Sequence, residues 1–240
     1  MNLLAEKILA GQGKNNLVLK YKKKLESRKQ KTEKWHKDRL GCFTSSEIHR
    51  LLGKSLSTQT AITYINSKIA EQLGVSGEEV CSKSIDWGNE HETTAILKTN
   101  ETLNFKFEQL GFEKHKEIKF FGGSADGIFE NIVLEIKCPY SIAKHIEYLA
   151  ITDNKSMKRI VPQYYAQIQS NMLIHSNNND VDFKGLFVSF DPRYENQFGF
   201  HYVEINPDFE YRDFIISRVK EAKEILDNQI FRIKEIYKKL

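Results

Sequence analysis

The residues best suited to chemistry are Asp126, within Ser124-Ala125-Asp126-Gly127, and the Glu135-Ile136-Lys137 triplet that begins nine residues later. Two carboxylates bind a hard cation such as magnesium through oxygen, and a lysine beside them orients or deprotonates an attacking water. Alternation along residues 132–137 predicts a strand with Ile132, Leu134 and Ile136 on one face and Val133, Glu135 and Lys137 on the other. Glu135 and Lys137 therefore point the same way. The run from Phe120 to Phe129 also reads as a strand, and Glu130-Asn131 is short enough for a hairpin turn that returns Asp126 to their side. A bare Asp…Glu-x-Lys match also arises by chance on solvated strand faces, so the rest of the chain decides its meaning.

Four other segments place polar groups where an apolar core has no need of them. Trp87-Gly88-Asn89-Glu90-His91-Glu92 opens a helix on which Glu92 precedes Ala95 and Ile96 by one turn. Glu92 is then a further metal ligand or water holder, or else an exposed neighbour of Glu90. Residues 163–169 put the amides of Gln163 and Gln167 on a helix whose apolar side carries Tyr165, Ile168 and Met172. Such an amide holds a water or a phosphate oxygen, or is a surface residue of a good helix former. Trp35 to Gly41, followed by Thr44-Ser45-Ser46, sets the Arg39 guanidinium near hydroxyls just ahead of a helix. That combination suits an oxyanion, although Ser46 also reads as an ordinary cap. Ser124, two residues before Asp126, can reach the same pocket or serve only the turn.

The elements that must carry these groups are predicted helices at about 3–10, 18–34, 45–52, 58–73, 86–99, 162–175 and 207–240. Strands are expected between about 104 and 137 and over 185–191 and 198–205, with residues 176–180 a loop. Helices flanking a mixed sheet are the implied α/β architecture. The 240 residues, 40% of them hydrophobic, suit one large domain over 35–240, preceded by a basic helical arm over 1–34. Residues 14–39 hold eleven Lys or Arg against three acids, within a chain of net charge +4. Such an arm attracts a phosphate backbone by counterion release, or is a solvated charged helix.

No apolar run reaches 18 residues and no cleavable leader is evident, so a cytoplasmic protein without membrane attachment is expected. Cys42, Cys81 and Cys138 lack a CxxC pair, which argues against a disulfide framework or a four-cysteine cluster and leaves them as buried thiols. The seven histidines lack HxxxH spacing, which argues against a zinc hydrolase.

Taken in order, Trp-His-Lys-x-Arg-Leu-Gly, Thr-x-Ser-Glu, Trp-Gly-x-x-x-Glu, Ser-x-Asp-Gly, Glu-x-Lys-Cys-Pro, Ala-Gln-x-Gln and Asp-Pro-Arg resemble the phage lambda exonuclease, or YqaJ-type viral recombinase, family from Trp35 to Tyr202. The resemblance implies a restriction-endonuclease-like core of the PD-(D/E)xK superfamily and a processive exonuclease. Such an enzyme digests one strand of linear double-stranded DNA from its 5′ end and leaves a 3′ single strand for annealing or recombination. It further implies a ring-shaped homotrimer and a single-strand annealing protein as partner.

By matching positions, Asp126, Glu135 and the backbone carbonyl of Ile136 would bind magnesium, with manganese as a possible substitute. Glu92 and Gln167 would complete the metal and water environment. Lys137 would act on the water, and Arg39, Ser46 and Ser124 would hold the terminal 5′ phosphate. An arginine that commonly follows Lys-Cys-Pro in the family falls here near Ala143, leaving Lys144 or His145 as substitutes. Two other readings stand beside this one: an endonuclease on the same core, and a DNA-binding recombination scaffold without activity.

Overall fold

The computed structural model describes residues 30, 32–75 and 82–238, so the helices expected at 3–10 and over most of 18–34 lie outside the described residues. The elements are α1 (Glu33–Arg39), β1 (Phe43–Thr44), a 3-10 helix (Ser45–Leu51), α2 (Gln59–Gln72), α3 (Lys83–Leu103), β2 (Glu113–Lys114), β3 (Phe121–Gly123), β4 (Gly127–Phe129), β5 (Ile132–Lys137) and α4 (Ile142–Leu149). They continue with α5 (Asn154–Ile160), α6 (Pro162–Asn179), β6 (Lys184–Phe190), a 3-10 turn (Gln197–Gly199), β7 (Phe200–Ile205) and α7 (Phe209–Tyr237). No described helix is long and apolar enough to cross a membrane.

Side-chain caps set many of the helix starts. Thr32, Thr58, Ser82, Asp153 and Asp208 each accept a first-turn amide, and Pro162 opens α6, where an absent N–H costs nothing.

The main sheet has the order β4-β5-β6-β7, with β5 and β6 parallel and both outer pairs antiparallel. The period of two divides its faces as expected. Leu134 and Ile136 join Leu186 and Val188 against Ala95 and Ile96 of α3, whereas Val133 and Phe187 pack with Ile168 and Met172 of α6. Gly185 permits that second contact, because a Cβ there would come within 2.6 Å of Ile168 Cδ1. A third cluster joins α2, α6, α7 and the first 3-10 helix through Leu51, Ile65, Ile174, Ile215 and Val219. Glu135 and Lys137 thus lie on the α6 side of a strand that is covered on both faces.

Several expectations shift. The single strand read over 120–129 is two strands in different sheets: β3 belongs to a small sheet of order β1-β3-β2, and β4 begins the main one. The chain breaks between them because the Asp126 carboxylate, rather than a backbone carbonyl, takes the Ile136 amide (2.7 Å). The hairpin turn at Glu130-Asn131 is present, with Phe129 opposite Ile132 and Glu130 at φ 49°. Residues 45–51 form a 3-10 rather than an α-helix. α6 runs on through the Ser176–Asn179 tract, and Asp180, at φ 56°, ends it where a loop was expected. Residues 104–119 contribute little strand, only β2 and one isolated bridge from Glu108 to Ile128. Cys42 is a buried free thiol and Cys138 a half-buried one, while Cys81 lies outside the described residues.

Candidate active site

The hairpin brings Asp126 beside β5. Its amide donates to the Leu134 carbonyl (3.0 Å), and its Oδ2 accepts from the Ile136 amide (2.7 Å). The amide and carbonyl of one strand residue face the same neighbour, so the Ile136 carbonyl is directed to the edge where Asp126 stands. On the α6 face, Glu135 is 0% exposed and its Oε1 lies 2.6 Å from Lys137 Nζ. That contact is a charge-assisted ion pair, and no donor other than Lys137 reaches Glu135 among the described residues.

A buried carboxylate is strongly disfavoured unless a cation compensates. Burial pushes the Glu135 carboxyl up to about 8, against the lowering effect of Lys137. Burial works to lower the Lys137 ammonium, but Glu135, Asp126 and Tyr164 outweigh it and hold it above the ordinary lysine range. Tyr164 of α6 lies with its ring 4.5 Å from Lys137 Nζ, a cation–π contact that fixes the ammonium from the helix side.

Asp126, Ile136, Lys137 and Tyr164 line a cavity of about 540 Å³ together with Glu92 and Gln163, among others, whereas Glu135 is not part of its lining. Glu92 reaches it from α3 and accepts a hydrogen bond from Gln109 Nε2 (3.0 Å). Among the described residues no three His, Cys, Asp or Glu side chains cluster as a ligand set. The donors that do come together are Asp126, Glu135 and the Ile136 carbonyl, all hard oxygens, which fit a magnesium ion that keeps several waters.

Gln167 is 8% exposed on α6 and is absent from the cavity lining, where Gln163, one turn earlier, stands. Lys144 lines the cavity from the first turn of α4 and pairs with Glu147 (2.8 Å). His145 is no substitute for a phosphate-binding arginine. It is fully buried, with Nδ1 at 2.8 Å from Ser189 Oγ and Nε2 at 2.7 Å from the Phe198 carbonyl.

The three residues expected to hold a phosphate converge on one end of the small sheet. β1 and β3 are parallel with Thr44 opposite Gly122, so Ser46 and Ser124 follow their strands at the same end. Trp35 joins Ser124 to Arg39: its Nε1 donates to Ser124 Oγ (2.8 Å), and the Arg39 guanidinium lies 4.0 Å over its ring. Burial lowers the Arg39 pKa from its usual value. Ser46 is half-buried, with its Oγ 3.4 Å from Thr44 Oγ1. Only Ala125 separates Ser124 from Asp126, so this basic and hydroxyl-rich corner adjoins Asp126, although none of Arg39, Ser46 and Ser124 is part of the cavity lining.

Sequence reasoning missed the linking role of Trp35 and the contact made by Tyr164, although both lie in segments it singled out. It also left unassigned the Arg193 fork. Arg193 Nε and Nη2 donate to the two oxygens of the fully buried Asp191 (2.8 and 2.7 Å). The spacing Asp-Pro-Arg was the available signal.

A mixed sheet with an aspartate entering one strand and Glu-x-Lys on the next, between flanking helices, is a PD-(D/E)xK-like fold. The chain belongs to the YqaJ-like viral recombinase domain family, which matches residues 34–178. Its fold is similar to that of an alkaline exonuclease (LHK-Exo) from Laribacter hongkongensis, with 24% identity, 87% of this chain and 99% of that chain covered, and a TM-score of 0.75. That exonuclease in complex with dAMP matches equally well. A phage-related exonuclease from Haemophilus somnus 129PT matches at 21% identity over 80% of this chain and 96% of that one, with a TM-score of 0.60. No curated protein matches the chain.

Proposed function

We propose that this protein is a magnesium-dependent exonuclease that degrades one strand of linear double-stranded DNA from its 5′ end, leaving 3′ tails for strand annealing. The observation that carries the reading is the fully buried Glu135, ion-paired to Lys137 at 2.6 Å, with Lys137, Asp126 and Ile136 lining a single cavity. Bound magnesium would polarise the phosphoryl oxygen and lower the pKa of its water. Asp126, Glu135 and the Ile136 carbonyl would hold the ion, with Glu92 on the cavity wall and Gln167, outside the cavity lining, as supports; manganese has the same oxygen-ligand chemistry.

Lys137 donates to the attacking water and aligns it, or accepts its proton once a cation beside it lowers its own pKa. Arg39, Ser46 and Ser124 hold the 5′ phosphate of the strand end, which gives direction by anchoring one terminus. Lys144 adds a positive charge at the cavity wall. Assembly as a homotrimer and work beside a single-strand annealing protein accord with the family.

The test is incubation with magnesium and linear duplex DNA labelled at one 5′ end, phosphorylated or hydroxylated, alongside a closed circle. Faster loss of phosphorylated ends with the circle spared supports the proposal. Cutting of the circle indicates an endonuclease, and an inert protein that still binds DNA indicates the scaffold.

A further inference from the structure

Tyr140 follows Lys137 by three residues and lines the same cavity, with 48% of its surface exposed. An aromatic side chain on an exposed loop ordinarily has a mobile backbone, but this one is pinned. The Arg193 guanidinium donates to the carbonyls of Pro139 (3.2 Å) and Tyr140 (3.0 Å) while its other edge grips Asp191. The same guanidinium lies 4.8 Å over the Trp87 ring, and Trp87 in turn meets the Tyr140 ring edge-on at 6.0 Å. Trp87 is the half-buried side chain of an otherwise exposed first stretch of α3, so the fork also seats that helix against the loop. Three elements thereby hold one accessible aromatic ring at the rim of the cavity that Asp126, Glu92 and Lys137 also line.

We propose that Tyr140 is the stacking platform for the nucleobase of the nucleotide whose phosphate is being cleaved, and that Arg193 is the positioning residue that presents it. This deepens the nuclease reading and rests on it. The chemistry fits because every base offers a π face, so stacking secures a nucleotide without selecting its sequence, as a processive degrading enzyme requires. Lys137 already has Tyr164 as its aromatic partner.

The experiment compares duplexes carrying a normal or an abasic first nucleotide on the 5′-phosphorylated strand. Binding is followed by fluorescence anisotropy in calcium and cleavage in magnesium, for the wild type and for Tyr140→Ala, Tyr140→Phe and Arg193→Lys. The wild type is expected to bind the abasic end roughly tenfold more weakly. Tyr140→Ala should bind both ends alike and as weakly as the wild type binds the abasic one. Tyr140→Phe should retain the full preference, and Arg193→Lys should lose most of it with KM raised more than kcat is lowered. A Tyr140→Ala protein that still prefers the normal end overturns the proposal, as does a wild type with no preference. A wild type that discriminates in calcium yet cleaves nothing in magnesium refutes the nuclease reading and leaves Tyr140 as a stacking site for the terminal nucleotide alone.

Discussion

Glu135 has no solvent to ionise into and Lys137 is the one group paired with it among the described residues, so Lys137 is the protein's own compensation for its charge. Removing one member of a buried pair leaves the other uncompensated, at a cost of about 3–5 kcal/mol. Lys137→Ala should therefore melt lower than the wild type without magnesium and regain part of the loss when magnesium is added. For cleavage, Asp126→Ala, Glu135→Ala and Lys137→Ala should each fall by at least roughly 10²–10³-fold with circular dichroism still that of a folded chain. A Lys137→Ala protein that degraded DNA at the wild-type rate would exclude the mechanism. These three residues were legible because they lie on one hairpin, where a period of two and a two-residue turn settle their directions. Tyr164 was not, since it reaches Lys137 from a helix whose placement depends on Gly185 and Ile168 fitting together. The Trp35–Ser124 bond joins positions 89 residues apart, beyond any local rule.

At the scale of elements, the end of β3 is the tightest joint between the phosphate corner and the rest of the fold. A Cβ on Gly123 would stand 2.1 Å from Ser45 Oγ and 2.2 Å from Asn171 Oδ1. Asn171 is 1% exposed, and neither its Nδ2 nor its Oδ1 has a hydrogen-bond partner among the described residues, so the joint cannot absorb a methyl by shedding an outer side chain. Gly123→Ala should push β3 away from the first 3-10 helix and α6, costing on the order of 1–3 kcal/mol. It should also narrow the rate difference between phosphorylated and hydroxyl ends, because Ser46 and Ser124 would separate. Denaturant midpoints and paired end-labelled substrates measure the two effects; an unchanged end preference would show that Ser46 and Ser124 do not act as one pocket. The sequence indicated the starts of the first 3-10 helix, α2, α6 and α7, since caps and Pro162 are local, but it began α3 late at Asp86 and did not foresee α1, α4 or α5. It misjudged 120–129 because the break there comes from the Asp126 side chain substituting for a backbone acceptor, which strand alternation does not reveal.

For the whole molecule, two charge effects act in different ranges. His175 is 5% exposed, and burial depresses its pKa to about 4 from the usual 6.5. Between those values the unfolded chain binds the proton and the folded one does not, so stability falls as pH drops from about 6.5 to about 4. His175→Leu should flatten that decline in thermal melts. The second effect concerns the basic arm. Residues 1–29 carry eight Lys or Arg and two acids, so their removal takes the chain from a net charge of +4 to −2. Counterion release makes log K fall with log salt by about 0.9 per phosphate neutralised, and a protein that loses these cations loses part of that slope. Chain lacking residues 1–29 should bind duplex ends more weakly at low salt, converge with the full chain at high salt, and show a slope shallower by several units if most of the arm engages phosphates. Turnover at saturating DNA should stay near that of the full chain, because Asp126, Glu135 and Lys137 are untouched. An unchanged slope would mean that the arm's charge faces solvent, leaving the capture of DNA to Arg39, Lys144 and the cavity itself.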